Sequence, residues 1–182
     1  MIKVIAFDMV GVLVKEKAKA LNDIEDKIER KFGDILSDQD FINECMPIIK
    51  DENIIINTAK DICNKLYEIK DYNIFKNIKK MYPNIKICIA TNHVSYINEF
   101  ISNNMDISNV DNIFISAEIN KVKPNKDFFL YILNHYNINP SELLFLDDSD
   151  RNIIGASNLG INSIKVNKET SMLTEIENII KK

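Results

Sequence analysis

Four short stretches hold polar side chains placed where chemistry could be done. Asp8 closes the apolar run Val4-Ile5-Ala6-Phe7 and is followed three residues later by Gly11. That pattern predicts a buried strand delivering one acid, a candidate nucleophile, to the rim of a parallel sheet. Thr91-Asn92 follow Ile87-Cys88-Ile89-Ala90, Lys123-Pro124 follow a later apolar run after a short loop, and Asp147-Asp148 follow Leu143-Leu144-Phe145-Leu146. Singly, each has a plain structural reading: a turn or helix cap at Asp8, helix caps at Thr91 and Asn92, a solvated lysine, and a capping turn. Jointly they offer an attacking carboxylate, a hydroxyl, amide donors, a cation and an acidic pair able to hold magnesium. Those are the parts needed to transfer a phosphoryl group, whose charge must be neutralised on its outer oxygens while an in-line attacker approaches.

The elements that must position these residues can be read from periodicity. Between Lys15 and Tyr72 the apolar residues fall at helical spacing and no strand is expected. Leu21, Ile24, Ile28 and Phe32 form one stripe, and Ala59, Ile62, Cys63, Leu66 and Ile69 another. Gly33 and Ser37-Asp38 read as a stop and a restart, with Phe41, Ile42 and Cys45 inward before Pro47. Helix resumes over about 72–81 and turns at Pro83-Asn84. From there strands over 85–90, 112–116, 143–146 and 161–166 alternate with helices over 94–102, 125–136, 151–159 and 170–181. The whole predicts an α/β fold, a doubly wound parallel sheet with a small all-helical block inserted after the first strand. Residues 1–14 and 73–182 would form the core domain, and 15–72 the insertion. In such sheets ligands collect beyond the carboxyl ends of the strands, where all four stretches lie.

Composition narrows the partners. The chain has 182 residues, 46% of them hydrophobic, enough for one good core. A formal net charge of -4 gives no basic field for nucleic acid, and no apolar run approaches the ~20 residues that span a bilayer. Cys45, Cys63 and Cys88 lie in apolar surroundings without metal-ligand spacing, as reduced core thiols would. With no leader pattern at Met1, a cytoplasmic location is expected. Monomer and homodimer both stay open.

In these motifs the chain resembles the haloacid dehalogenase (HAD) superfamily of hydrolases over nearly its whole length. Phe7-Asp8-Met9-Val10-Gly11-Val12-Leu13 is similar to motif one, Ala90-Thr91-Asn92 to motif two and Val122-Lys123-Pro124 to motif three. Leu146-Asp147-Asp148 with Asn152, Ala156 and Gly160 is similar to motif four. The resemblance implies a HAD core with a C1-type helical cap over 15–72, a Mg²⁺ cofactor and a small phosphorylated metabolite as substrate. It implies that Asp8 attacks phosphorus and binds the metal, and that Thr91 and the Asn92 backbone hold the phosphoryl group. Lys123 would neutralise charge. Asp148, the Val10 backbone carbonyl and, in support, Asp147 would complete the metal site.

One position departs from the pattern. Most HAD phosphatases carry a second aspartate two residues after the nucleophile, where this chain has Val10, which can neither protonate a leaving group nor activate water. The departure keeps 2-haloacid dehalogenase, phosphonatase and a non-catalytic phosphate- or protein-binding domain open as alternatives. Against dehalogenation, Asp147-Asp148 stand where those enzymes have Ser and Asn, and an acidic pair would repel a carboxylate substrate. His93 could supply the missing proton, or else cap a helix or face solvent. His135 reads as a helix-terminus contact, Arg151 as a surface arginine or else one that reaches the phosphate from the motif-four loop, and Lys15-Glu16-Lys17 as a solvated hinge.

Overall fold

The computed structural model describes residues 1–181. Its centre is a parallel five-stranded sheet, and the chain enters it at once. β1 (Val4–Phe7) is buried at every residue and lies in the middle of the sheet. It is followed by β2 (Val14–Glu16), then α1 (Asp23–Glu29), α2 (Asp38–Cys45), α3 (Glu52–Leu66), β3 (Tyr67–Ile69) and α4 (Ile74–Met81). The remainder alternates: β4 (Lys86–Thr91), α5 (Ile97–Asn104), β5 (Asn112–Ile115), α6 (Ser116–Ile119), α7 (Lys126–Tyr136), a 3₁₀ turn at Pro140–Glu142, β6 (Leu143–Asp147), α8 (Asp150–Ser157), β7 (Asn162–Lys165) and α9 (Met172–Ile180).

The spatial order is β5-β4-β1-β6-β7. β1 pairs in parallel with β4 on one side and β6 on the other, Phe7 lying opposite both Ile89 and Leu146. The order reverses at β1, so a crevice opens beyond its carboxyl end, and Asp8, Thr91 and Asp147 all sit at that rim. Alternation along β1 divides the core. Ile5 and Phe7 pack with Ile87, Ile89, Leu144 and Leu146 on one face, whereas Val4 and Ala6 pack with Phe114, Phe128 and Phe145 on the other. The first of these cores runs without a break into the inserted helices through Ile28, Phe41, Ile55 and Ile62.

The helices of the insertion start where their caps dictate. Asn22 accepts from the Glu25 amide while the Glu25 carboxylate accepts from the Asn22 amide, a reciprocal capping box. The Ser37 hydroxyl accepts from the Asp40 amide at the start of α2, and the Asp51 carboxylate from the Ile54 amide at the start of α3.

The expectation of no strand between Lys15 and Tyr72 fails at both ends of that block. Val14, Lys15 and Glu16 pair antiparallel with Ile69, Glu68 and Tyr67, and a Lys15–Glu68 ion pair of 3.2 Å reinforces the ladder. Three-residue strands are too short to show a period of two, and Ile69 also fits the spacing of α3. Lys15-Glu16-Lys17 is therefore largely strand rather than a free segment. Of the expected stripe Ile28 and Phe32 are buried, but Ile24 is 53% exposed, while Glu25, held by the capping box, lies inward.

Candidate active site

Asp8 emerges from β1 with its amide donating to the Leu146 carbonyl, which continues the sheet by one bond and fixes the carboxylate at the rim. The chain then folds back sharply. The amides of Val12, Leu13 and Val14 all converge on the Met9 carbonyl, and Gly11 adopts φ +81°. A Cβ at Gly11 would lie 2.1 Å from an oxygen of Asp148, so only glycine lets the first and last motifs approach this closely.

Lys123 is the hub. Its Nζ donates to Asp8 Oδ1 and to Asp147 Oδ2, each at 2.7 Å, and the side chain is 1% exposed. Burial disfavours its ammonium form, but the two carboxylates more than offset that and raise its pKa above the ordinary lysine value. For Asp8 burial is the stronger effect and pushes the carboxyl up to about 6, against the pull of the Lys123 ammonium. Asp148 is also raised, by burial and then by the neighbouring charge of Asp147.

The two acids that end β6 differ in place. Asp147 is fully buried and saturated: besides Lys123 it accepts from the Ser149 amide at 2.8 Å and from Asn152 Nδ2 at 3.1 Å to each oxygen. Asp148 is more exposed and lies beside Gly11. Asp8, Asp147 and Asp148 each offer an oxygen, and these lie within 4.8 Å of one another. Such a hard-oxygen set suits a small divalent cation. Val10 follows in the same turn, with a partly buried side chain against the core and no ionisable group. A cleft of about 960 Å³ opens beside Asp148, bordered by Val10, Gly11 and Lys70, whose Nζ donates to the Gly11 carbonyl.

Thr91 ends β4, is 1% exposed, and lies one strand over from Asp8. Asn92 does more than its backbone promised. Its Oδ1 accepts from the Lys123 amide and its Nδ2 donates to the Lys123 carbonyl, both at 2.9 Å, clamping the backbone that carries the lysine. The four sequence stretches thus meet at one rim.

Several neighbours were not legible in the sequence. Asp34, between α1 and α2, accepts from Asn92 Nδ2 at 2.9 Å and from Arg151 Nη2 at 3.0 Å. Gly155 sits inside α8, where a Cβ would meet the Pro124 carbonyl oxygen at 2.7 Å. A lone glycine within a helical pattern was the available signal for that approach. Ser116 Oγ accepts from the His93 amide at 3.0 Å and steadies the motif-two loop. His93 does not face solvent. It is 1% exposed, with its ring between the Tyr67 hydroxyl at 3.0 Å and the Val94 carbonyl at 3.2 Å, and burial lowers its pKa to about 4. Only Nδ1 carrying the proton satisfies both contacts, because a carbonyl can only accept. His135 packs against Phe114 and Tyr136, with Nε2 2.9 Å from Asn112 Nδ2. The three cysteines are buried, as expected.

The sequence profile of the haloacid dehalogenase-like hydrolases matches residues 5–166, and the chain belongs to that family. Among solved structures it is similar to one from Porphyromonas gingivalis described as a predicted HAD-like family hydrolase, at 23% identity and a TM-score of 0.78, covering 100% of this chain and 99% of that one. A HAD family enzyme of Bacteroides thetaiotaomicron in complex with magnesium and inorganic phosphate is 17% identical, with a TM-score of 0.71 over 95% of this chain and 99% of the other. A predicted phosphoglycolate phosphatase of Haemophilus somnus is 12% identical, with a TM-score of 0.67 over 90% and 84% of the two chains. Among the described residues no helix is long and apolar enough to cross a membrane.

Proposed function

We propose that this hydrolase is a Mg²⁺-dependent phosphatase acting on a small phosphorylated metabolite through an aspartyl-phosphate at Asp8. The observation that carries the reading is the Lys123 ammonium held at 2.7 Å from both Asp8 and Asp147, with Asp148 alongside at the sheet rim. The magnesium and phosphate held by the B. thetaiotaomicron relative support it.

Asp8, Asp148 and the Val10 carbonyl would hold the metal, with Asp147 behind them. When bound, the cation neutralises phosphate oxygens and keeps the phosphoryl group beside the nucleophile. Asp8 attacks phosphorus; the new Asp8 O–P bond forms as the bond to the leaving oxygen breaks. Thr91 Oγ and the Asn92 amide donate to the transferring group, and Lys123 balances the charge that gathers there. Water then attacks phosphorus, the Asp8 O–P bond breaks, and carboxylate and inorganic phosphate return. Val10 supplies no proton to the leaving group, so unactivated alkyl phosphates turn over slowly, by a factor on the order of 10²–10⁴ relative to a site with a general acid. The insertion over 15–72 acts as the cap that shields the site and selects substrate. A dehalogenase would need to admit a carboxylate beside Asp147 and Asp148, which their charge opposes.

The test is a panel of phosphate monoesters and 2-haloacids assayed with Mg²⁺ and with chelator, alongside Asp8→Asn. Metal-dependent phosphate release lost in the variant is expected. Halide release independent of metal would replace this reading with dehalogenation, and no turnover of any substrate would leave a binding domain.

A further inference from the structure

The contact between the insertion and the core is not spread evenly. Asp34 stands in the left-handed region at φ 59°, which aspartate tolerates, and this turns its carboxylate onto the core. There it accepts from Asn92 Nδ2, and both its oxygens accept from Arg151 Nη2 at 3.0 Å. Asn92 spends its remaining capacity on the backbone of Lys123, in both directions. Lys123 in turn spends two donors on Asp8 and Asp147. A continuous line therefore runs from the insertion, by hydrogen bonds from Asp34 to Asn92 and on to the Lys123 backbone, then along the lysine side chain to Asp8. A second contact, Asp38 accepting from the Ser95 amide at 2.8 Å and from its hydroxyl, joins the same two bodies without touching Asn92 or Lys123.

We propose that Asp34 is a positioning residue: by holding the Asn92 side-chain amide it sets the backbone clamp on Lys123, so that seating of the insertion tightens the lysine on the nucleophile. Arg151 pairs with the same carboxylate, but the contact that carries the relay is the one to Asn92. Asn92 has two Nδ2 hydrogens, one for Asp34 and one for the Lys123 carbonyl. Without Asp34 the amide keeps only its two bonds to the Lys123 backbone and is held less firmly. The turnover readout rests on the phosphatase reading; the structural readout does not.

The experiment compares Asp34→Ala, Asp34→Asn and Ser95→Ala. Asparagine keeps an oxygen for Asn92 but loses the charge for Arg151, so it separates the relay from the ion pair. In ¹H–¹⁵N spectra the Lys123 amide and the Asn92 side-chain amide should shift in Asp34→Ala, return toward wild type in Asp34→Asn, and stay in place in Ser95→Ala. With an aryl phosphate and Mg²⁺, kcat should fall roughly three- to tenfold in Asp34→Ala, the worth of one hydrogen bond, and stay near wild type in the other two. Unmoved Lys123 and Asn92 signals in Asp34→Ala would overturn the proposal. So would equal shifts in Ser95→Ala, which would mean general loosening of the insertion, or a failure of Asp34→Asn to restore them. Absence of turnover in the wild type would overturn the phosphatase reading alone, and the spectra would still decide the relay.

Discussion

Lys123 is a full positive charge with almost no contact with water, and it is tolerable only because two carboxylates share it. Lys123→Met leaves Asp8 and Asp147 facing each other without their cation. It should cost about 3–5 kcal/mol in chemical denaturation and abolish turnover, since Asp8 loses the charge that favours its ionised form. Near-wild-type activity in that variant would remove the lysine from the mechanism. Val10→Asp should work in the opposite direction, raising kcat on alkyl phosphates by up to about 10²–10⁴-fold if leaving-group protonation limits the reaction. An unchanged kcat would show that another step sets the rate. His93 contributes through pH. Its folded pKa lies near 4 against an ordinary 6.5, so the unfolded chain binds the extra proton first, and stability is lost as pH falls from about 6.5 to 4. The loss from this group reaches about 3 kcal/mol at the acid end. Urea midpoints at pH 7 and pH 4.5 should differ less in His93→Gln than in wild type; an equal difference would assign the acid lability to other groups.

At the level of elements, the sheet was legible because β1, β4 and β6 are largely apolar runs covered on both faces, each leading into a polar residue at the rim. The same pattern marked the rim positions of Asp8, Thr91 and Asp147-Asp148, while Lys123 arrives from a loop beyond β5 and α6. What escaped were features made by tertiary approach. The β2–β3 ladder is too short to carry a period, and the side-chain clamp of Asn92 on Lys123 joins residues that no local pattern connects. Asp34 looks like any loop acid until Arg151 and Asn92 are brought to it. Gly155 belongs to this class. Alanine is ordinarily the better helix former by about 0.5–1 kcal/mol, yet here its Cβ would press on the Pro124 backbone. Gly155→Ala should therefore destabilise by about 1–3 kcal/mol, the usual cost of overpacking, and lower kcat by shifting Lys123. A gain in melting temperature with unchanged kcat would show that the two segments can part freely.

For the molecule as a whole, three sheet strands and one loop bring five polar side chains to a single rim. The inserted helices share a continuous apolar core with the sheet rather than resting on it loosely. Asp34 is the point at which the insertion meets the Asn92 side chain beside the rim. Everything rests on Asp8 becoming covalently phosphorylated. The direct measurement is mass spectrometry after acid quench, with Mg²⁺ and a fast-leaving aryl or acyl phosphate. One added phosphoryl group is expected on the peptide containing Asp8, absent with chelator and absent in Asp8→Asn. Metal-dependent phosphate release with an unmodified Asp8 peptide, or the phosphoryl group found on another residue, would contradict it.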